Sequence, residues 1–369
     1  MIRRSALASA LLLATLMAAP LPAVAQDAVA AAKAVVEKVI RPNPPWDGPT
    51  TGPKLQSGKT VVYVSADQRN GGARGVAEGM DEAAKLAGWD FRVIDGQGTV
   101  SGRSAAMNQA IALKPDAIVL GALDAAEQAA PIEDAAKQKI VIVGWHSFAK
   151  PGPSDTLPVF TNITTDPLEV ARAAASYAIA DSDGKAGVVI FTDSVYRIAI
   201  AKSDAMAEVI RGCPGCKVLS VEDTPLSDTG TRMGPLTTAL LQRFGDEWTY
   251  ALGINDLYFD FMAPSLASAG IGGDGRPHNV SAGDGSEVAF QRIRANQYQV
   301  GTVAEPLRLH GWQLVDELNR AFAGEKASGY VAPAHLFTPA NIKADGGPDN
   351  VYDPENGYRD AYKKIWGVN

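Results

Sequence analysis

Nine side chains in this sequence have the types needed to grip a small hydroxylated molecule: Asp67, Asn70, Trp145, His146, Tyr196, Arg197, Asn255, Asp284 and Glu305. Carboxylates take hydrogen bonds, amides both give and take them, and an aromatic face covers the carbon side of a ring. No nucleophile, base and orienting group occur in a recognisable order, so the set reads as a binding site and the chain as no enzyme. No cofactor is expected. His278, His310 and His335 lack metal-ligand spacing and read as structural, and the acidic run 349–357 lacks the ligand order of a calcium loop.

Each residue also has a plainer use. Asp284, between Gly283 and Gly285, is placed to cap a helix at 287–295, and Asn255 suits a turn. Asp67 has Arg69 and Arg74 as local partners, and Glu305 has Arg197 or Arg308 within reach of a hinge salt bridge. Trp145 follows an apolar run in which Gly144 ends the strand, which favours a cleft position over a core one, while His146 reads equally as a hydrogen-bonded bystander.

The elements that would carry these residues alternate along the chain. The run 60–64 is β-branched and covered on both faces, and from Val76 the apolar positions follow a helical period. Loop 65–75 therefore lies at the carboxyl end of a strand, where open α/β sheets bind ligands. Strands at 90–94, 117–120 and 140–143 continue a first alternation, with helices at 101–113 and 125–137. A second runs through strands at 159–163, 187–192, 217–221, 250–254 and 279–282, with helices at 167–180, 201–211, 233–244 and 259–269. A helix at 309–323 and a strand at 334–338 follow, then an irregular tail. This is an α/β chain with two similar parallel-rich halves.

Arg3 and Arg4, an apolar run at 6–18 and Ala23-Val24-Ala25 give residues 1–25 the form of a cleaved secretory signal peptide. Its loss removes two arginines and takes the net charge from −7 to −9, a poor match to nucleic acid or anionic membranes. The remaining length suggests two lobes. Residues 26–57 read as a helix and a proline-rich connector in which Trp46 is a packing anchor. Cys213 and Cys216 follow a helix's C-terminal end, where the dipole opposes a reactive thiolate, so a structural disulfide is expected.

Taken together, TVVYVSADQRNGG with EGMDEAAKLAGW, PDAIVLGALDAAEQAAPIEDAAKQKIVIVGW, YALGINDLYFDFMAPSLASAG, VSAGDGSEVAFQRIRANQYQVGTVAEP and HGWQLVDELNRAFAGE resemble, in order, the type I periplasmic substrate-binding proteins of ABC transporters, ribose-type group. The resemblance runs from 60 to 338. It implies two Rossmann-like lobes joined by a three-strand hinge near 161–165, 303–307 and 334–338, closing on a ligand. The lobes would comprise 58–162 with 306–334, and 163–305 with 335–369 including the tail. It further implies a monomer in the periplasm that delivers a small neutral sugar or polyol to an inner-membrane ABC permease. A sugar-sensing receptor feeding a chemoreceptor or sensor kinase is the alternative, and a secreted carbohydrate-active enzyme a more remote one.

By that resemblance Asn70, Asn255 and Asp284 match ligand-binding positions, Glu305 a hinge position usually held by Gln, and Tyr196 and Arg197 lie near a second-lobe Arg. Two departures stand out: a Phe pair is replaced by Gly72 and Ala73, and an Asp-Arg pair by Trp145 and His146. One stacking wall and a hydroxyl clamp are therefore missing, which argues against ribose itself.

Overall fold

The computed structural model describes residues 23–42 and 44–368, so most of the expected signal peptide lies outside the described residues. A first helix, α1 (Ala23–Val39), precedes the first alternation. This runs β1 (Thr60–Ser65), α2 (Gly71–Ala87), β2 (Asp90–Asp95), α3 (Val100–Ala112), β3 (Ala117–Gly121), α4 (Ala129–Lys137), β4 (Val141–Trp145) and β5 (Asn162–Ile163). The second comprises α5 (Pro167–Asp181), β6 (Gly187–Thr192), α6 (Arg197–Arg211), β7 (Lys217–Asp223), α7 (Thr229–Phe244), β8 (Tyr250–Gly253), α8 (Leu257–Asp260), α9 (Ala263–Ser268), β9 (His278–Ser281), α10 (Glu287–Ala295) and β10 (Gly301–Ala304). The chain closes with α11 (Leu307–Phe322), β11 (His335–Phe337), α12 (Ile342–Asp345) and α13 (Tyr358–Trp366).

The strands form two sheets, ordered β2-β1-β3-β4-β5 and β11-β10-β9-β8-β6-β7. Every pairing is parallel except β10 with β11. The central strands TVVYVS, AIVLG and GVVIFT are buried almost throughout because helices cover both faces, as parallel sheets require. In the first lobe α2 and α11 approach so closely that a Cβ on Gly311 would lie 2.4 Å from the Met80 nitrogen, and one on Gly79 2.5 Å from the Arg308 carbonyl. Only glycine allows that spacing.

Several helices begin earlier or later than periodicity predicts, and two of the shifts move site residues. Helix α2 starts at Gly71, not Val76, because Asn70 caps it through Gly72 N–H. Helix α6 starts at Arg197, not 201, and α4 at Ala129, not 125. The strand expected at 159–163 shrinks to β5, and the helix expected at 259–269 breaks into α8 and α9.

The tail is the largest correction. Residues 335–369 do not all belong to the second lobe: β11, α12 and Tyr352 pack with Phe290 and Ala304, but α13 returns to the first. Tyr358, Tyr362, Ile365 and Trp366 fall on one helical face and join Trp312 and Leu318 in that lobe's core. Residues 26–57 likewise do not stand apart. Helix α1 packs on α5 of the second lobe, and the connector then crosses to the first, where Trp46 lies against Tyr330 and Tyr362. The lobes are thus tied by the connector and the tail as well as by 163–167, 304–307 and 322–335. In the acidic tail run, Asn350 accepts a hydrogen bond from Arg294, and Asp353 accepts from Arg359 and Tyr358. Cys213 and Cys216 form a disulfide.

Candidate functional site

The carboxyl ends of β1, β3 and β4 face those of β6 and β8 across a cleft. Asp67, Asn70 and His146 line it from the first lobe, and Tyr196, Asn255 and Asp284 from the second. Trp145, Arg197 and Glu305 do not reach its surface.

The correction for Trp145 follows from one residue of strand length. Because β4 continues through Trp145, its indole points into the core, fully buried, and donates to His310 Nδ1 at 3.2 Å. Burial pushes the His310 imidazole down to about 4, with Glu305 opposing and His146 reinforcing the effect, so its nitrogen is free to accept that proton. Trp145 serves as a platform: the His146 ring stacks on it, 3.9 Å between centroids and 10° from parallel. The expected aromatic wall is therefore one layer behind the cleft.

His146 sits at φ 54°, a left-handed conformation that turns its ring back over Trp145 and toward the opposite lobe. Its Nε2 meets Glu305 Oε2 at 3.0 Å, and since an ionised carboxylate only accepts, Nε2 carries the proton. Its Nδ1 stands 3.9 Å from Asp284 Oδ1. Glu305 is completely buried, accepts also from Thr165 N–H at 3.1 Å, and lies 3.6 Å from Lys202 Nζ. Its expected partners Arg197 and Arg308 are replaced by this His and Lys. Burial opposes its charge, yet His146 and Lys202 together hold its carboxyl well below the usual carboxylate range.

Asp284 occupies the turn between β9 and α10, but Ser286, not Asp284, caps α10. Its Oδ2 accepts from Asn255 Nδ2 at 2.7 Å, and Asn255 Oδ1 accepts from Leu257 N–H. Burial pushes the Asp284 carboxyl above the usual carboxylate range, with His146 and Lys202 opposing. The turn itself is pinned by Asp256, which accepts from the Gly285 and Ser286 amides and from Gln299.

At the rim, Asp67 is taken up by Arg69, 2.7 Å from Nη2, while Arg74 goes to Glu78. Tyr196 caps α6 and receives a hydrogen bond at 3.3 Å from Arg103 of the other lobe, whose guanidinium is held by Glu127. Burial pushes the Tyr196 hydroxyl up to about 12. Arg197 gives its backbone N–H to Asp124 across the lobes, and its side chain lines a neighbouring groove with Phe148 and Lys150.

Sequence reading missed Lys202, Ser227 and Leu226, all of which line the cleft. Lys202 left a signal: it shares the buried face of α6 with Ile198, Ala205 and Met206, an odd place for an ammonium without a partner. His146, Asp284 and Glu305 also bring one ring nitrogen and two carboxylate oxygens within 4.8 Å, enough to hold a cation. Lys202 already supplies a positive charge beside Glu305, so the cluster is internally compensated.

A two-lobed α/β architecture with polar groups from both halves converging on one cleft defines a closing, ligand-binding protein. The sequence matches the periplasmic binding protein domain family over residues 61–326, and the chain belongs to that family. Comparison with curated proteins finds no match. Among solved structures, the chain is similar to a sugar ABC transporter protein from Yersinia enterocolitica (17% identity, 81% of this chain and 90% of that one, TM-score 0.68). It is similar also to a solute-binding protein from Agrobacterium vitis bound with alpha-D-tagatopyranose (15%, 80% and 99%, 0.69). A third is the periplasmic component of the arabinose ABC transporter from Shewanella sp. ANA-3 (18%, 77% and 93%, 0.67).

Proposed function

We propose that this chain is the periplasmic receptor of an ABC importer, capturing a small neutral sugar or polyol between its lobes and presenting the closed form to a permease. The observation that carries the reading is the convergence of Asn70 and His146 from one lobe with Asn255, Asp284 and Lys202 from the other on a single cleft. These are hydrogen-bonding groups whose charges offset one another, suited to hydroxyls and ill suited to a strongly charged ligand. Sugar-bound solved structures of the same architecture support the ligand class. The protein acts as a monomer, and ligand release at the permease requires reopening of the cleft.

A thermal-shift panel of pentoses, hexoses and linear polyols tests this, because a ligand that binds only the folded chain raises Tm. At least one such compound should raise Tm in a concentration-dependent way, with a calorimetric stoichiometry of one. A melting curve indifferent to every member would end the reading.

A further inference from the structure

We propose that the ligand of this cleft carries an apolar edge, a methyl, deoxy carbon or bare methylene that lies against the second lobe while its hydroxyls are taken at the hinge side. The inference rests on the reading of the cleft as a site for a small neutral hydroxylated molecule, and it narrows that class.

The lining divides by chemistry. Ile198, Ala199, Leu226, Ile254 and Leu257 contribute an aliphatic wall from the second lobe, and Ala66 and Ala122 face it from the first. The polar groups form one connected cluster: Asn255 on Asp284, Asp284 beside His146, and Lys202 beside Glu305. Two polar groups outside that cluster already hold a partner. Asp67 is neutralised by Arg69, and the Tyr196 hydroxyl receives Arg103. A ligand hydroxyl directed at the aliphatic wall would lose water and find no replacement partner.

Aromatic surface is scarce as well. Trp145 is sealed beneath His146, and Gly72 and Ala73 begin a helix pressed against the other lobe, leaving the Tyr196 ring and the His146 imidazole among the described lining residues. Branched aliphatic side chains fit a methyl or methylene group, and burial of such a group is favourable in proportion to the apolar area covered. The wall therefore selects for carbon where an ordinary hexose or pentitol presents oxygen.

Matched pairs that differ by one hydroxyl provide the test: D-glucose with 6-deoxy-D-glucose, L-galactose with L-fucose, L-mannose with L-rhamnose, and ribitol with 1-deoxyribitol, each titrated calorimetrically into the intact mature chain. In the pair whose stereochemistry fits, the deoxy member should bind roughly tenfold more tightly, the discrimination an apolar pocket gives for one group. Leu226→Asn and Leu257→Gln, at half-buried positions, should keep the parent Tm and bring that ratio close to one. Equal or tighter binding of the hydroxylated members overturns the apolar edge and leaves the sugar receptor standing. Binding by neither member of any pair, nor by any compound of the wider panel, overturns both.

Discussion

The carboxylate of Asp284 stands where a side chain on Gly72 would have to go: a Cβ built there lies 2.3 Å from Oδ2 and 2.7 Å from the Asp284 Cβ. Gly71 makes a similar approach to Ser286, 2.6 Å from its Cβ. The start of α2 in one lobe and the turn before α10 in the other are thus in contact, and the missing aromatic pair is explained by this contact. Large rings at the start of α2 and the observed closure exclude each other.

Gly72→Val separates closure from folding. The side chain sits in the first turn of α2, so the isolated lobe tolerates it, whereas the closed contact must shift or open. Binding of an identified ligand should weaken by about 1 to 3 kcal/mol, the usual cost of overpacking. Calorimetry measures the loss, and small-angle scattering should show the ligand-bound variant more extended than the parent. Parent-like affinity and radius would place the closing contact elsewhere.

Asn255 and Asp284 should behave as one unit. Each loses its partner when the other is truncated, and Asp284 is then left buried with less compensation. Asn255→Ala and Asp284→Ala should each weaken ligand binding by about 1 to 3 kcal/mol. Because the pair shares a hydrogen bond, the double variant should cost less than the two singles combined. Strict additivity in a double-mutant cycle would show that the two contact ligand independently.

What could be read in advance depended on whether the signal was local. The alternation of buried strands with amphipathic helices is written in consecutive residues, and the class of fold followed from it. Trp145 failed because glycine at 144 looked like a strand end, while its actual role is set by pairing to β3 and β5, information held far away in the chain. Glu305 was expected to pair with Arg197 or Arg308, and its real partners, His146 and Lys202, come from the other lobe and another helix. Helix α13 was legible in principle, since Tyr358, Tyr362, Ile365 and Trp366 keep a helical spacing, but the glycines and acids before it drew attention to an irregular tail.

Glu317 gives a pH dependence of defined sign. It lies buried on α11, accepting from Ser328 N–H and Oγ, and burial with nearby Asp316 pushes its carboxyl up to about 7 against an ordinary 4.5. A carboxyl raised on folding contributes fully below 4.5, and that contribution is lost as pH rises through 7. A shift of this size is on the order of 3 kcal/mol. Glu317→Gln should therefore match the parent in urea midpoint at pH 5 and exceed it at pH 8. A parent midpoint equal to the variant's at both values would mean that Glu317 ionises without penalty.

The connector after α1 should limit how far the lobes open. Helix α1 is held on the second lobe by Ala32, Val29 and Val36 and by Lys33 with Asp183. The following residues are fixed to the first lobe: Arg320 donates to the Thr51 carbonyl, Asn319 donates to that of Pro53 and accepts from Gln56 N–H, and Trp46 packs on Tyr330 and Tyr362. A chain fixed at both ends restrains any rotation that lengthens its path. Trp46→Ala should reduce stability by roughly 1 to 3 kcal/mol through lost ring burial, without touching the cleft. In the ligand-free state it should also increase the radius of gyration, and saturating ligand should restore the parent value, because closure itself does not use the connector. If the ligand-free radius stays at the parent value while stability falls, the connector is packing alone and the lobes are restrained only at the hinge.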